Sequence, residues 1–414
     1  MEWATHSLRV IGLALSVAGA ATSQDWRGFR GPNGQGLAWE QELPPRYSAD
    51  DIVWRRPVGV GHSSPVVVGD RLYLTRVVTG QEAREVVCLD ADTGEERWAH
   101  RESFSSYPLH RLNNAASSSP VADADGVYVT WVSGGDLVAL ALDPDGELRW
   151  RRALGPFMAQ HGGGGSPVLH GTALIVANDH DADGFVAALD VGTGEDVWRL
   201  ARSAVPKRCS YALPVIRQRG DGAELLLTAG GGVTAVDSAT GLVTWDLDLG
   251  LRARCVGVPV LIGERMVLTA GTGGSGKEGA VIMLPDAGDD EPVARVSYRL
   301  RRSLPYVPAM IAIGDRLFMF SDGGIATCVE LASGDVIWRQ RLEGDFFSSP
   351  VSDGRTIYIA DRDGVLWSLA VDDQFRLLGQ LDLDEGVSAT PAIARGGLYL
   401  RTSRDLVHFR VPQK

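Results

Sequence analysis

The stretch Cys88-Leu89-Asp90-Ala91-Asp92-Thr93-Gly94-Glu95-Glu96-Arg97-Trp98 decides the fold, because close copies of it recur along the chain. Each copy consists of an apolar strand end, a turn with an acidic residue and Gly, and a second strand with one Trp. The other copies are Ala188–Trp198, Ala235–Trp245, Cys328–Trp338 and, one residue shorter, Ala141–Trp150. Five copies of so specific a turn indicate a repeat protein.

A second marker, Pro followed by an apolar run, occurs eight times. The eight prolines are 41–55 residues apart and are Pro65, Pro120, Pro167, Pro214, Pro259, Pro308, Pro350 and Pro391. Each is followed by a turn and an alternating strand, so each unit contains four antiparallel strands. Repeated four-stranded units of this length are typical of propeller blades. The sequence therefore predicts an all-β, eight-bladed β-propeller.

The last unit predicts how the ring closes. It runs from Thr390 to Val411 and has three strands, without the Trp strand, whereas Asp51–Arg56 is a lone Trp strand near the start of the chain. We expect this N-terminal strand to complete the last blade, which removes an exposed sheet edge. The predicted propeller spans residues 51–412. The fifth unit is degenerate, and Val296 is predicted at its Trp position.

Three residue types have predicted roles within each blade. The acidic residue at the strand end accepts hydrogen bonds from backbone amides of the turn, and Gly supplies the positive φ that the turn requires. The Trp fills the gap between neighbouring wedge-shaped blades.

The N-terminal region is predicted to be a processing signal followed by an extension. Arg9 precedes the apolar run Val10–Ala18, and small residues follow at Ala18–Ala21. This pattern predicts a secretory signal over residues 1–23, too short to span a bilayer. Residues 24–50 form an extension without periodicity. We expect a soluble, secreted or periplasmic monomer with a cleaved signal and no transmembrane span.

Composition and charge limit the classes of molecule that the protein is expected to bind. The chain has 414 residues, a formal net charge of -12 and no long Lys/Arg run, which disfavours nucleic acid. Cys209 and Cys255 precede equivalent prolines, so an oxidising compartment permits a disulfide between them, with free thiols as the alternative.

The segments that enter the inner strands should converge around the central opening. They carry three His, several cations, two Asn and aromatic residues, which suit a polar ligand, an acidic peptide or a carbohydrate. The alternative is a ring of solvated loop residues without a partner. The candidate ligand-binding residues are His62, His110, Arg111, Asn113, Asn114, His161, Arg208, Arg254, Tyr306 and Phe347.

One segment matches a calcium-binding loop. Asp179, Asp181 and Asp183 alternate before Gly184, and Asp190 lies at the twelfth position. Calcium prefers hard oxygen ligands in such a spacing. An ordinary Asp/Gly hairpin turn is the alternative. No Gly-x-Ser-x-Gly, His-Glu-x-x-His or phosphate-loop motif occurs, so no catalytic residue is assigned.

The repeated turn resembles that of pyrroloquinoline-quinone-type (quinoprotein-like) β-propellers, and Phe29–Gly34 is similar to the start of secreted bacterial members. In the dehydrogenase branch of this family, a quinone binds on the axis with calcium, and many members have an adjacent Cys pair. This chain lacks that pair, the long insertions and a matching Glu, Asn and Asp set, so the resemblance does not imply quinone binding.

The blade count and length are nearer to the BamB-type assembly scaffold, although the lipobox Cys of that branch is absent. The resemblance thus implies a non-catalytic scaffold whose propeller face binds a protein or carbohydrate. A quinone-dependent oxidoreductase and a His-using lyase or hydrolase at the mouth are the alternatives.

Overall fold

The computed structural model describes residues 25–203, 209–229, 231–272, 277–286 and 292–410. Over these residues the chain forms eight four-stranded antiparallel sheets, which confirms the predicted propeller. The predicted signal and Arg208 lie outside the described residues.

The strands follow the predicted order, with one N-terminal strand ahead of the first blade. Helical structure in the described ranges is limited to the short 3-10 turns Pro32–Gly34 and Ala49–Asp51. Strand β1 is Ile52–Pro57, and blades 1 to 4 contain β2 (Val66–Val68), β3 (Arg71–Val77), β4 (Ala83–Asp90), β5 (Glu96–Ser103), β6 (Val121–Ala122), β7 (Val127–Ser133), β8 (Asp136–Leu142), β9 (Leu148–Pro156), β10 (Val168–His170), β11 (Ala173–Asn178), β12 (Gly184–Asp190), β13 (Asp196–Arg202), β14 (Val215–Arg219), β15 (Gly222–Ala229), β16 (Gly232–Asp237) and β17 (Val243–Asp248). Blades 5 to 8 contain β18 (Val260–Ile262), β19 (Arg265–Ala270), β20 (Glu278–Met283), β21 (Arg295–Leu300), β22 (Ile311–Ile313), β23 (Arg316–Phe320), β24 (Ile325–Glu330), β25 (Val336–Arg341), β26 (Val351–Ser352), β27 (Thr356–Ala360), β28 (Val365–Ala370), β29 (Leu377–Asp382), β30 (Ala392–Ala394), β31 (Gly397–Arg401) and β32 (Asp405–Phe409).

Ring closure occurs as predicted. Strand β1 pairs antiparallel with β32, and Trp54 lies opposite His408. The sheet order β1-β32-β31-β30 makes the N-terminal strand the outer strand of blade 8.

The repeated turn performs the predicted tasks. The carboxylate of Asp90 accepts hydrogen bonds from the amides of Asp92 at 3.0 Å and Thr93 at 2.9 Å. In the next blade, Gly146 has a φ of 90°, and a Cβ there would lie 2.6 Å from the ring of Trp98. The Trp98 indole also donates to the carbonyl of Pro144 at 2.9 Å. Gly is therefore required both for its backbone conformation and for the space that the preceding blade's Trp occupies.

This Trp–Gly contact links blade after blade. It recurs where Trp54 lies on Gly94, Trp150 on Gly194 and Trp198 on Gly241. Each contact buries an aromatic side chain between two wedge-shaped blades. Neighbouring blades are therefore joined by side-chain packing, without a continuous hydrogen-bonded seam between their sheets.

The prediction that Val296 takes the Trp position of the fifth unit is wrong. Tyr298 faces Val281 just as Trp98 faces Cys88 in blade 1. The Tyr298 hydroxyl donates to the carbonyl of Leu331 at 2.6 Å. The acidic insert lengthens the preceding turn in this unit, so counting from the turn misplaces the aromatic residue by two.

Blade 7 lacks the aromatic residue. Gly379 occupies the equivalent position, and a Cβ there would lie 2.7 Å from the Cβ of Arg46. The N-terminal extension thus covers the surface that a Trp fills in other blades.

One end of the central channel is closed by residues 26–36, which we call the plug. Trp26 pairs with Val67 of blade 1, and the Arg27 carbonyl accepts from Ala122 of blade 2. Asn33 exchanges two hydrogen bonds with the backbone of Ile216 in blade 4, at 2.7 and 2.8 Å. Because one segment is hydrogen-bonded to several blades, it fixes their positions at this end.

Candidate functional site

The opposite end of the channel is open and contains a cavity of about 720 Å³, which we call the mouth cavity. Its wall is built from segments that precede the inner strands and from hairpins between second and third strands. A narrower chamber of about 120 Å³ continues inward as far as Phe29 of the plug. The channel is thus open at the mouth, narrows inward and is closed at the opposite end by the plug.

Six of the ten predicted ligand-binding residues lie on this wall. They are His62, His110, Asn113, His161, Tyr306 and Phe347. Three others do not: Arg111 is exposed outside the wall, and the Asn114 side chain accepts from the amide of Ala116 at 2.8 Å. Arg254 is buried and donates to Gln160 Oε1 at 2.8 Å, and Arg208 is not among the described residues.

The two loops that carry His110 and His161 are joined. The ring centroids of these residues are 5.0 Å apart. The Asn113 amide donates to the carbonyls of His161 at 2.7 Å and Gly163 at 2.8 Å. Asn113 is therefore a clamp between the loops, and its amide hydrogens are already used.

Two of the three mouth imidazoles have a lowered pKa. Burial, assisted by the nearby Arg401 guanidinium, lowers the pKa of His62 to about 4. Burial, followed by the charges of Arg254 and His110, also lowers the pKa of His161. Both changes favour the neutral form, so at neutral pH these rings offer a donor and an acceptor rather than a positive charge.

Sequence reasoning missed the charged groups of the wall. Lys277 Nζ lies 2.5 Å from Asp322 Oδ2, and the same carboxylate accepts from the amides of Tyr306 at 2.8 Å and Val307 at 3.0 Å. The Arg362 guanidinium lies 4.5 Å from the centroid of the Phe347 ring.

A topological signal for these residues was present in the sequence. In a four-stranded meander, the turn between the second and third strands returns to the end where the first strand begins. Asp322 and Arg362 lie in such turns, after β23 and β27.

The predicted calcium ligands do not come together. Asp190 accepts from the amide of Thr193 at 2.9 Å, at the far end of β12 from Asp183. A seven-residue strand spans about 20 Å, too far for a shared ion. Asp179 is paired with Arg202 Nε at 2.6 Å. Across the described ranges, no three His, Cys, Asp or Glu side chains are arranged to hold a metal.

The same observation bears on how well the described residues fit the quinone cofactor that the fold family implies. Calcium beside a quinone requires a cluster of oxygen ligands on the axis, and the described wall does not supply such a carboxylate cluster. The residues present do not fit that group.

Cys209 and Cys255 are buried free thiols in this structure, and Tyr211 N donates to the Cys255 carbonyl at 2.8 Å. Within the described residues, none of the helices is long and apolar enough to cross a bilayer.

Comparison with known proteins places the chain in a family. The family model described as "Outer membrane protein assembly factor BamB" matches residues 36–199, 111–275 and 286–411. The outer membrane protein assembly factor BamB of Burkholderia pseudomallei (strain K96243) is 26% identical over 363 residues, covering 84% of this chain and 85% of that protein.

Solved structures of both branches share the fold. BamB from Moraxella catarrhalis has a TM-score of 0.59 at 15% identity, covering 87% of this chain and 99% of that one. Quinohemoprotein alcohol dehydrogenase from Comamonas testosteroni has a TM-score of 0.65 at 11% identity, covering 96% and 83%. At these identities the structures establish the fold alone, whereas the family model matches most of the sequence. The chain belongs to the BamB family of outer membrane protein assembly factors.

Proposed function

We propose that the protein is a non-catalytic, periplasmic interaction scaffold that takes part in outer membrane protein assembly. The observation that carries the proposal is the extent of the family match, which reaches from residue 36 to residue 411 with one short gap. Since a propeller fold by itself supports both enzymes and scaffolds, the family match rather than the fold favours this role.

The exposed surface of the two loops at the mouth, which we call the rim, supports the proposal of a protein partner. Leu109 and Met158 are apolar yet 38% and 60% exposed, and they lie on the two loops that Asn113 clamps together. Exposed apolar side chains on a braced surface suit a protein interface. A folded partner would contact this rim and leave the interior of the cavity free.

The test is affinity purification from the source bacterium after cross-linking. We expect proteins of the outer membrane assembly machinery to be recovered with the wild-type chain. We also expect deletion of the gene to lower the amounts of outer membrane β-barrel proteins. The double variant Leu109→Asp, Met158→Asp should lose the partner.

The matched control is Leu242→Asp, an exposed apolar residue 69% accessible in the turn between β16 and β17, at the opposite end of the blade. Recovery of the same partners with both variants would remove the rim from the proposal. Unchanged levels of β-barrel proteins after gene deletion would contradict the assembly role itself.

Two accompanying features are part of the proposal. We infer that the mature chain begins after a cleaved signal and that it is monomeric. N-terminal sequencing of the periplasmic protein and its mass in solution test these two points.

The two enzyme alternatives have less support. His62, His110 and His161 do line one cavity, as a His-using lyase or hydrolase requires. Within the described ranges, however, no carboxylate is hydrogen-bonded to His110 or His161, although such a partner commonly orients a general base. Titration with pyrroloquinoline quinone and calcium tests the dehydrogenase alternative, for which the wall residues do not fit.

A further inference from the structure

We propose that the mouth cavity binds an uncharged saccharide, as a ligand site distinct from the protein-binding rim. The volume of about 720 Å³ falls within the range of small-ligand sites and is too small for a folded partner. The inner chamber of about 120 Å³ is narrower, so a saccharide would enter with one end first.

The charges of the wall compensate one another as far as the described residues show. Among these residues, two cations, Lys277 and Arg362, are matched by two carboxylates, Asp322 and Asp345. The Lys277–Asp322 distance of 2.5 Å keeps that pair closed upon itself. Burial also favours neutral His62 and His161. An anionic or cationic ligand would therefore meet no excess of the opposite charge, whereas an uncharged polar ligand would bring no unpaired charge into the cavity.

Aromatic and hydroxyl groups both line this wall. Phe347, Tyr211 and Tyr306 supply ring surfaces, and Ser117 and Ser388 supply hydroxyls. The C–H faces of a pyranose pack on aromatic rings, and its hydroxyls exchange hydrogen bonds with serine and neutral imidazole. A purely apolar ligand would displace water from the polar groups of the wall without replacing its hydrogen bonds.

Gly164 leaves space in the cavity where a ligand can approach the wall. It lies on the wall and has no positive φ, and a Cβ there would lie 3.8 Å from Tyr211 Cδ1 and 4.0 Å from Ser117 Cβ. These are ordinary contacts, so a larger side chain would extend into the cavity without displacing the wall. Gly165, the next residue, has nothing within 4 Å of its Cβ position and does not line the cavity.

The experiment is calorimetric titration of the mature chain with maltotriose, cellotriose and chitotriose, and with trigalacturonate as a charged comparator. We expect at least one neutral trisaccharide to bind about tenfold more tightly than trigalacturonate. Its affinity should change less than about twofold when salt rises from about 0.05 to about 0.5 M, because no net charge is screened. No binding of any neutral trisaccharide, or tighter and salt-sensitive binding of trigalacturonate, overturns the proposal.

Variants then locate the site. Gly164→Met and Phe347→Ala should each weaken binding of that trisaccharide by about tenfold or more, and Gly165→Met should leave it unchanged. Circular dichroism and thermal melting confirm that each variant is folded. If Phe347→Ala fails to fold, Gly164→Met still decides, since wild-type affinity in that variant would exclude the mouth cavity. Loss of partner recovery at the rim would not change these titrations, so the two proposals fail independently.

Discussion

Two cations, one at each end of the central channel, are held in different ways. At the closed end, the Arg30 guanidinium is fully buried and donates to the carbonyls of Gly34 at 3.0 Å, Met310 at 2.9 Å and Pro350 at 3.2 Å. At the mouth, the part-exposed Lys277 is paired with a carboxylate. A cation surrounded by backbone carbonyls from separate elements stabilises the ring. A cation paired with a side chain leaves a wall whose polarity can be changed without disturbing the fold.

The same contrast applies to glycine. At the closed end, Gly31 has φ 66° and ψ -145°, and a Cβ there would lie 2.5 Å from the Trp26 ring. At the mouth, Gly164 has neither constraint. Gly31 is required by its backbone conformation and by the neighbouring indole, whereas Gly164 leaves space in the mouth cavity.

The largest expected effect comes from the glycine at the closed end. Gly31→Ala should lower the free energy of unfolding by about 4 kcal/mol, because it adds backbone strain to a clash with the indole of Trp26. Urea denaturation monitored by Trp fluorescence measures the change. Gly164→Ala is the control and should stay within about 0.5 kcal/mol of wild type. Equal effects at both glycines would mean that the ends do not differ.

Removal of the buried cation should have the next largest effect. Arg30→Met should cost about 3 kcal/mol, because the carbonyls of Gly34, Met310 and Pro350 lose a charged donor inside the protein. Burial also lowers the pKa of Arg30 to about 9, so this charge is held against a desolvation cost. Arg27→Met, at an exposed ion pair with Asp25, should change stability by less than about 0.5 kcal/mol. A small loss from Arg30→Met would show that the plug is held mainly by Trp26 and Asn33.

Acidic pH should lower the stability of the folded protein through protonation of His62 in the mouth. Its pKa is about 4 in the folded protein, below the usual value of 6.5, because of burial and the charge of Arg401. The unfolded chain therefore binds the proton first, so the contribution to stability is present above about pH 6.5 and is lost as the pH falls towards 4.

His62→Gln should remove about 2 kcal/mol of this acid-induced loss, a figure reduced for the partial exposure of the ring. Denaturation curves of both proteins at pH 8, 6 and 4.5 measure the difference. Parallel stability curves for the two proteins would show that His62 does not titrate in this way.

The smallest effect is expected at the mouth cation. Lys277→Met should cost about 0.5 kcal/mol, because the ion pair with Asp322 is partly exposed. Asp322 keeps its bonds from the amides of Tyr306 and Val307 in this variant. Thermal melting at low and high salt measures the effect, and a loss above about 2 kcal/mol would place Lys277 in the same structural class as Arg30.

Residues that repeat were predictable, and residues that interrupt the repeat were not. The Asp, Gly and Trp positions follow from the spacing of the turn, but the acidic insert moved the aromatic position from Val296 to Tyr298. His62, His110 and His161 were found because they precede inner strands. Asp322 and Arg362 were missed because they follow second strands instead, although the predicted meander returns those turns to the mouth as well.

The amino-acid sequence alone determined the number of blades, the closing strand and the end of the ring where polar residues gather. These depend on local spacing, which strand pairing converts directly into sheets. Tertiary structure alone decided that Asn113 is a clamp and that Arg254 lies behind the wall. Those outcomes depend on distances between segments far apart in the chain, which the packing of neighbouring blades sets.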